Sequence, residues 1–433
     1  MRIGLTITLA MFMSLVGAAH GADSLHNDPA TAPISTTAAI KAGSVERVKT
    51  LSDGEASYSL FLPTAYEKEP SRVFPLVINQ NPSGRTRIGV YQQWAEEQGV
   101  ILLGLDGISN GKEQGAKNKI ADAVLKDLTA RGIRAHETLR VTIGMSGGSA
   151  DGMRLVRRKP EHYAGCVFMG AGSIIDNPKG KGLAYAILGG AKDEWMAGDA
   201  CYAMVEKAQS LGCPTIVEVE IDRQHQEAPL ARQAAALTWL LELQKLQLPS
   251  LPKEEREHNI AAARERMKNI GSIKDSAMRR AEAELLLKLP PLKEFQDDWA
   301  AVAVEWANTV LKLADSANEG RTTFMCEALR SPFLAEVPAG AKEHLEAVAT
   351  GLRNDPATAK DWALCAKYLD AEDAEIRAGL KPDKLAEAMS LWEALRKESV
   401  GTAWEEKVKR RIANVRVFVE TPSTIQHPTR VPK

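Results

Sequence analysis

The chain has 433 residues, with 55 lysine and arginine side chains against 56 aspartate and glutamate side chains. This length predicts two or three domains. The balanced charge argues against a nucleic-acid-binding protein, and no basic block is present that would hold an anionic membrane. Only 5% of the residues are aromatic, so the composition indicates no surface for stacking sugars or bases.

The first 22 residues have the pattern of an export signal. Arg2 supplies a positive charge, an apolar stretch runs from Ile3 to Val16, and small residues follow. The apolar stretch is too short for a membrane span and lacks a stop-transfer flank. We therefore predict an exported protein, periplasmic or secreted, with no membrane span once the signal is removed. Residues 23–44, rich in Ala, Thr, Ser and Pro, are predicted to form a flexible leader.

The five cysteines do not have the pattern of a disulfide framework. Cys201 and Cys213 flank a predicted helix, which would hold them about 18 Å apart and beyond the reach of a disulfide. Cys326 and Cys365 could pair between helices, but the favoured interpretation is that they are small buried hydrophobic residues. No CxxC or HExxH spacing occurs, so no metal site is predicted.

Residues 45–247 alternate between predicted strands and helices. Val45–Leu51 and Ser57–Pro63 alternate polar and apolar residues around a Ser-Asp-Gly turn, which predicts a hairpin. Short apolar runs typical of a buried parallel sheet follow at Pro75–Ile78, Val100–Leu105, Leu139–Ile143, Gly165–Met169, Leu183–Leu188 and Thr215–Ile221. The pattern predicts an α/β domain with eight strands, mostly parallel, and with helices on both faces.

The sequence changes character after residue 247. Residues 248–252, Leu-Pro-Ser-Leu-Pro, are predicted to be a linker, and residues 253–416 have apolar residues at three- and four-residue steps that predict an all-α domain. Residues 417–433 are predicted to be a tail. The tryptophan stripes of this half favour a packed core, and we expect the helical domain to serve interaction or scaffolding, with a protein partner.

A nucleophile motif follows the fifth predicted strand. Leu139–Ile143 leads directly into Gly144-x-Ser146-x-Gly148, which is the form of a strand, a sharp turn that exposes one serine, and a helix. The two glycines are expected because a Cβ at either position would collide with the neighbouring strand or helix. Ser146 is therefore the predicted nucleophile.

A serine nucleophile needs a base, and elimination among the eight histidines selects His225. His136 precedes the elbow strand and His162 follows the elbow helix, so both should lie at the wrong edge of a parallel sheet. His225 follows the last predicted strand, at the edge where catalytic groups gather. The others lie in the signal, the leader, the helical half or the tail: His20, His26, His258, His344 and His427.

The acid that orients the base should follow the preceding strand. The seventh predicted strand is followed by Gly-Gly-Ala-Lys-Asp193-Glu194, in which the glycines permit a tight turn. Asp193 is the first choice, with Glu194 and Asp199 as alternatives. A solvated loop acid is the competing interpretation, because aspartate is common in loops.

The order Ser146, Asp193, His225 resembles that of the α/β-hydrolase superfamily. The resemblance covers about residues 45–245 and is closest to secreted esterases related to polyhydroxybutyrate depolymerases and feruloyl esterases. Residues 94–107, WAEEQGVILLGLDG, are similar to the region of their fourth strand, and residues 144–153, GMSGGSADGM, to their elbow and following helix.

The resemblance implies a two-step acyl transfer to water without a metal or organic cofactor. Serine would attack the ester carbonyl, histidine would act as base and then as acid, and aspartate would hold the histidine tautomer. A departure from the family pattern lies after the third predicted strand, where Asn79-Gln-Asn-Pro-Ser-Gly-Arg85 replaces a His-Gly-rich turn. Pro82 has no N–H to offer an oxyanion, so the candidate donors are Gly147, after the nucleophile, and either Asn81, Ser83 or a side-chain amide.

The leading interpretation is an exported serine esterase. The short connection from Ala171 to Gly182 predicts an open cleft, suited to an ester on a bulky or polymeric substrate, although a small-molecule ester also fits. Two alternatives remain open. One is a serine peptidase of the same fold, and the other is a catalytically weak or inactive hydrolase-like protein whose helical half binds a partner.

Overall fold

The computed structural model describes residues 34–35, 40–51, 56–175, 182–316 and 320–420. The predicted signal at residues 1–22, most of the predicted leader and the end of the chain from residue 421 lie outside the described residues. Among the residues that are described, no helix is long and apolar enough to span a membrane.

A single sheet of nine strands forms the centre of the first half, in the order β1-β2-β3-β5-β4-β6-β7-β8-β9. The strands are β1 Ile34–Ser35, β2 Val45–Lys49, β3 Ser57–Phe61, β4 Phe74–Gln80, β5 Ile101–Leu105, β6 Ala135–Met145, β7 Gly165–Met169, β8 Ala184–Gly190 and β9 Thr215–Glu220. Strand β3 is antiparallel to both β2 and β5, and all later neighbours are parallel.

The eight predicted strands are therefore present, and the predicted fold class is confirmed. The additional strand β1 has two residues and pairs in parallel with β2. It lies within residues 23–44, the predicted leader. The local sequence, rich in Ser, Thr and Ala, carries no alternation strong enough to predict a strand, and pairing with the β2 edge orders this short piece of chain.

The parallel strands are rich in apolar residues because helices cover both faces of the sheet. Every residue of β4, β7 and β8 is buried. Within β4, Val77 belongs to one hydrophobic cluster, whereas Leu76 and Ile78 belong to another. This separation follows from the two-residue period of a strand, which sends successive side chains to opposite faces.

Six helices accompany the sheet and eight follow it among the described residues. The first set is α1 Ala65–Lys68, α2 Gln92–Gln98, α3 Gln114–Ala130, α4 Gly147–Arg158, α5 Gly198–Ser210 and α6 Leu230–Gln247. The second set is α7 Lys253–Asn269, α8 Ser276–Leu287, α9 Gln296–Ser316, α10 Arg321–Arg330, α11 Ala339–Asn354, α12 Ala359–Ala378, α13 Pro382–Ser399 and α14 Glu405–Glu420.

The helical half shares its core with the sheet half. One hydrophobic cluster contains Val77 of the sheet, Leu240 of α6 and Trp306 of α9, all of them buried. Helix α14 extends beyond residue 416, where the helical region was predicted to end, because Phe418 and Val419 pack against this same cluster. Burial of apolar surface between the halves therefore contributes to the stability of both.

Candidate active site

The predicted elbow is a sharp turn between β6 and α4. Ser146 has φ 52° and ψ −124° and is the only residue other than glycine with a positive φ in the described parts of the chain. Such a conformation costs a side-chain-bearing residue about 1–3 kcal/mol and is tolerated where the surroundings enforce it. Here Ser146 is the single residue between the end of β6 at Met145 and the start of α4 at Gly147.

The two elbow glycines allow α4 to approach the end of β4. A Cβ at Gly144 would lie 2.7 Å from the carbonyl oxygen of Gln80 and 2.6 Å from the carbonyl carbon of Gly148. A Cβ at Gly148 would lie 2.7 Å from the carbonyl carbon of Gln80 and 3.0 Å from Cα of Asn81. Both positions therefore exclude a side chain, for the steric reason that the motif predicts.

The three predicted catalytic side chains form a continuous hydrogen-bonded chain. Nε2 of His225 lies 2.8 Å from Oγ of Ser146. Nδ1 of His225 lies 2.9 Å and 3.1 Å from the two carboxylate oxygens of Asp193. The distances are within the range for a nucleophile, a base and an orienting acid. The side chain of His225 is 21% exposed, whereas that of Asp193 is only 2% exposed.

The loop after β8 holds the Asp193 carboxylate in place. Oδ1 of Asp193 also accepts the backbone N–H groups of Trp195 at 2.8 Å and Met196 at 3.1 Å. A carboxylate that only accepts hydrogen bonds can orient the imidazole with its Nδ1–H towards the acid. Of the two alternative acids, Asp199 pairs instead with Lys381, at 2.7 Å. Glu194, next to Asp193, is not the residue that contacts the imidazole.

The two rejected histidines lie elsewhere, as the elimination predicts. His136 is the second residue of β6, whose far end leads to Ser146, so about 30 Å of strand separates the two. Its Nδ1 accepts the backbone N–H of Leu139 at 2.9 Å, and burial lowers the pKa of its imidazole. His162 ends a short helical turn, Pro160–His162, beyond α4.

The three candidate oxyanion donors occupy different positions. Gly147 is the first residue of α4, where a backbone N–H has no acceptor within the helix and the helix dipole favours negative charge. The backbone of Asn81 lies against the elbow at Gly148. Ser83 is less suitable, since its backbone N–H donates to Oδ1 of Asn81 at 3.0 Å and its hydroxyl donates to the same atom at 2.7 Å.

Sequence reasoning missed two residues at this site. Asn110 lies in the loop after β5, and a Cβ on Gly147 would lie 2.8 Å from Cγ of Asn110. Trp195 is 55% exposed, and its ring centroid lies 6.0 Å from that of His225. Both residues follow strand ends at the carboxyl edge of the sheet, and that position was the available signal.

The sheet, the strand–turn–helix elbow and the chain order of Ser146, Asp193 and His225 define an α/β-hydrolase fold. This confirms the predicted fold, here joined to a helical C-terminal half. No protein-family model matches the chain, and no curated protein is detectably similar to it in sequence.

Solved structures that match the chain include a thermostable esterase, at 16% identity and a TM-score of 0.37 over 46% of this chain and 62% of that one. A ferulic acid esterase matches at 14% identity and a TM-score of 0.36, over 46% of this chain and 95% of that one. A dipeptidyl peptidase 4 from Porphyromonas gingivalis matches at 14% identity and a TM-score of 0.35, over 45% of this chain and 35% of that one. The chain thus spans less than two thirds of the thermostable esterase.

Proposed function

We propose that this chain is an exported serine hydrolase that cleaves carboxylic esters through an acyl-enzyme. The observation that carries the proposal is the hydrogen-bonded chain from Ser146 through His225 to Asp193, with 2.8 Å and 2.9 Å at its two links. Three side chains from three separate loops meet in the order that nucleophilic catalysis requires. Export is supported by the pattern of residues 1–22.

In the first step, Oγ of Ser146 attacks the ester carbonyl carbon while Nε2 of His225 accepts the hydroxyl proton. The carbonyl π electrons move to oxygen, and the backbone N–H of Gly147 at the start of α4 donates to that oxyanion. Collapse of the intermediate breaks the carbon–oxygen bond to the alcohol, which takes the proton from His225. The product is an ester between the acyl group and Ser146.

In the second step, water replaces the alcohol. His225 removes a proton from water, the hydroxide oxygen bonds to the acyl carbon, and Ser146 leaves with the proton returned from His225. Asp193 holds the imidazole through Nδ1 and stabilises the imidazolium that forms in each step. Because the acid, base and nucleophile are all side chains of this chain, the proposed steps need no further group.

An ester is favoured over a peptide by the turn at residues 81–84. The N–H of Ser83 is engaged by Asn81 at 3.0 Å, so oxyanion stabilisation depends more heavily on Gly147. Losing one donor costs about 2.7–4 kcal/mol in a transition state. An ester tolerates such a loss better than an amide, whose carbonyl is less reactive and whose amine must be protonated to leave. The exposed Trp195 beside His225 offers an apolar surface to the acyl or alcohol group.

The proposal is tested by hydrolysis of p-nitrophenyl acetate and of a matched p-nitroanilide by the wild type and by Ser146→Ala. We expect the wild type to cleave the ester, to cleave the anilide at least about 100-fold more slowly, and to lose activity on substitution of Ser146. Ser173→Ala is the matched control, because Oγ of Ser173 accepts from Arg157 at 3.1 Å and lies outside the chain of catalytic side chains. Equal rates for Ser146→Ala and the wild type would contradict the proposal.

A further inference from the structure

Four charged side chains join the helical half to the two loops that bear the catalytic acid and base. The loop after β8 contributes Lys192, and the loop after β9 contributes Asp222. Helices α12 and α14 contribute Glu375 and Arg411. The set is balanced, with two positive and two negative charges. It spans both halves of the molecule, because Lys192 and Asp222 come from the sheet half and pair with Glu375 and Arg411 of the helical half.

The contacts run through Glu375. Its Oε1 lies 2.8 Å from Nζ of Lys192 and also contacts Nη2 of Arg411. Its Oε2 accepts from Nε of Arg411 at 2.8 Å and from Nε1 of Trp392 at 3.1 Å. Arg411 in turn donates from Nη1 to Oδ1 of Asp222 at 2.5 Å. A single carboxylate and a single guanidinium thus connect both loops to α12 and α14.

Three of the four charged side chains are buried. The side chains of Lys192 and Glu375 are 0% exposed and that of Arg411 is 6% exposed, whereas Asp222 is about half exposed. Burial lowers the pKa of Lys192, and the carboxylate of Glu375 opposes this effect. A buried charge that loses its partner is left uncompensated in a medium of low dielectric. Separation of the helical half from these loops is correspondingly unfavourable.

The two loops are also joined to each other at this point. The backbone N–H of Ala191 donates to the carbonyl of Glu220 at 2.8 Å, and that of Lys192 donates to the carbonyl of Arg223 at 3.1 Å. Lys192 precedes Asp193 directly, and Asp222 lies three residues before His225. The charged set is therefore separated from the acid and the base by only one to three residues of backbone.

We propose that Glu375 and Arg411 are positioning residues for the catalytic pair, so that the helical half is a required part of the active site. The inference rests on the proposed hydrolase activity. Glu375 fixes the loop of Asp193 through Lys192, and Arg411 fixes the loop of His225 through Asp222. A displacement of about 1 Å in such a pair can cost on the order of 100-fold in rate. Loss of these ion pairs should therefore lower the rate of hydrolysis.

The contact between Gly198 and α12 supports this role. Gly198 begins α5, and a Cβ there would lie 3.2 Å from the carbonyl carbon of Ile376 and in closer contact with its oxygen. The backbone of α12 therefore lies directly on the chain segment that follows Asp193. Helix α12 therefore contacts the chain before Asp193, at Lys192 through Glu375, and after it, at Gly198 through Ile376.

The test removes the two ion pairs between the helical half and the catalytic loops one at a time, in the full-length protein. Lys192→Met keeps the length of the side chain but removes the ammonium group, and Asp222→Ala removes a half-exposed carboxylate. We expect each variant to lower kcat for p-nitrophenyl acetate by about tenfold or more, with KM within about threefold of wild type. The rate of Ser146 labelling by a fluorophosphonate should fall in parallel. Lys381→Met is the matched control, because it breaks an exposed 2.7 Å pair across the same boundary whose partner, Asp199, lies on α5 and not on the loops after β8 and β9.

Circular dichroism and thermal unfolding separate a positioning role from a merely structural one. Variants that are folded at the assay temperature yet show the expected loss of kcat support the proposal. Variants with a lower Tm but with kcat and labelling rate within twofold of wild type overturn it, as does an equal loss in Lys381→Met. If Lys192→Met does not fold, Asp222→Ala carries the test alone. A wild type that neither hydrolyses the ester nor reacts with the fluorophosphonate contradicts the proposed function, and the positioning role then falls with it.

Discussion

Trp195 and Asp193 are fixed to each other: the backbone N–H of Trp195 donates to Oδ1 of Asp193 at 2.8 Å, and the indole ring lies 6.0 Å from the ring of His225. One short loop thus performs two tasks. It holds the buried carboxylate against the imidazole, and it presents a half-exposed aromatic ring beside the base, His225.

Replacing the indole should weaken substrate binding and leave the chemistry of small esters nearly intact. Trp195→Ala keeps the backbone N–H that Asp193 accepts. We expect kcat/KM for esters with a bulky aromatic or long acyl group to fall about tenfold, which is the size of one lost aromatic contact. The value for p-nitrophenyl acetate should change by less than threefold. An equal loss for both substrates would show that Trp195 acts on the catalytic groups and not on the substrate.

Replacing the acid with its amide should remove most activity while preserving the fold. Asp193→Asn retains an acceptor for the N–H groups of Trp195 and Met196, but it no longer favours the Nδ1–H tautomer of His225. In serine hydrolases of other folds this change costs on the order of 10⁴ in kcat, and we expect a loss of at least about 10³ in this protein. Glu194→Gln, one residue further on, is the control and should stay close to wild type.

The elbow glycines should be intolerant of a side chain. Gly148→Ala places a Cβ 2.7 Å from the carbonyl carbon of Gln80, so α4 must move away from β4. We expect a loss of several kcal/mol in the free energy of unfolding or a failure to fold. Gly351→Ala in α11 is the matched control, because nothing lies within 4 Å of its new Cβ. It should raise stability by up to about 1 kcal/mol. Chemical denaturation of both variants provides the comparison.

Stability should depend on pH through Glu327 of α10. Burial is the main cause that raises the pKa of this carboxyl to about 7 from an ordinary value of 4.5. Between these values the native state holds a proton that the unfolded chain releases, so this group lowers stability as the pH rises from 4.5 to 7. Glu327→Gln should match wild type at about pH 4 and be more stable at about pH 8, by about 3 kcal/mol at most.

Thermal unfolding across this pH range measures the effect. Glu343→Gln on the exposed surface of α11 is the matched control for the loss of a carboxylate. A constant difference between Glu327→Gln and wild type would mean that Glu327 does not titrate across the range.

The sequence is most informative about the candidate site where short local patterns specify it. The elbow needs two glycines at fixed spacing, and the strand ends that bear Asp193 and His225 follow from the parallel alternation of the chain. Those are short-range patterns. The chain order of a regular βα series largely specifies which strands are neighbours in the sheet. The contacts of His225 with Ser146 at 2.8 Å and with Asp193 at 2.9 Å follow from that strand order.

The sequence predicts the connection between the halves poorly because the residues involved are far apart in the chain. Glu375 is 183 positions from Lys192 by their residue numbers, and no local pattern links them. In the sequence both resemble ordinary solvated charges, since buried lysine and glutamate are rare. The position of Asn110 beside Gly147 is similarly a property of how the loops after β4 and β5 pack together.

Intact-mass and peptide-mass spectrometry after reaction with a fluorophosphonate would show whether Ser146 is a nucleophile activated by His225. We expect one adduct per chain on the peptide that contains Ser146, with no adduct in Ser146→Ala and labelling at least about 100-fold slower in His225→Ala. An adduct at another serine, or labelling at Ser146 that is equally fast without His225, would contradict this mechanism.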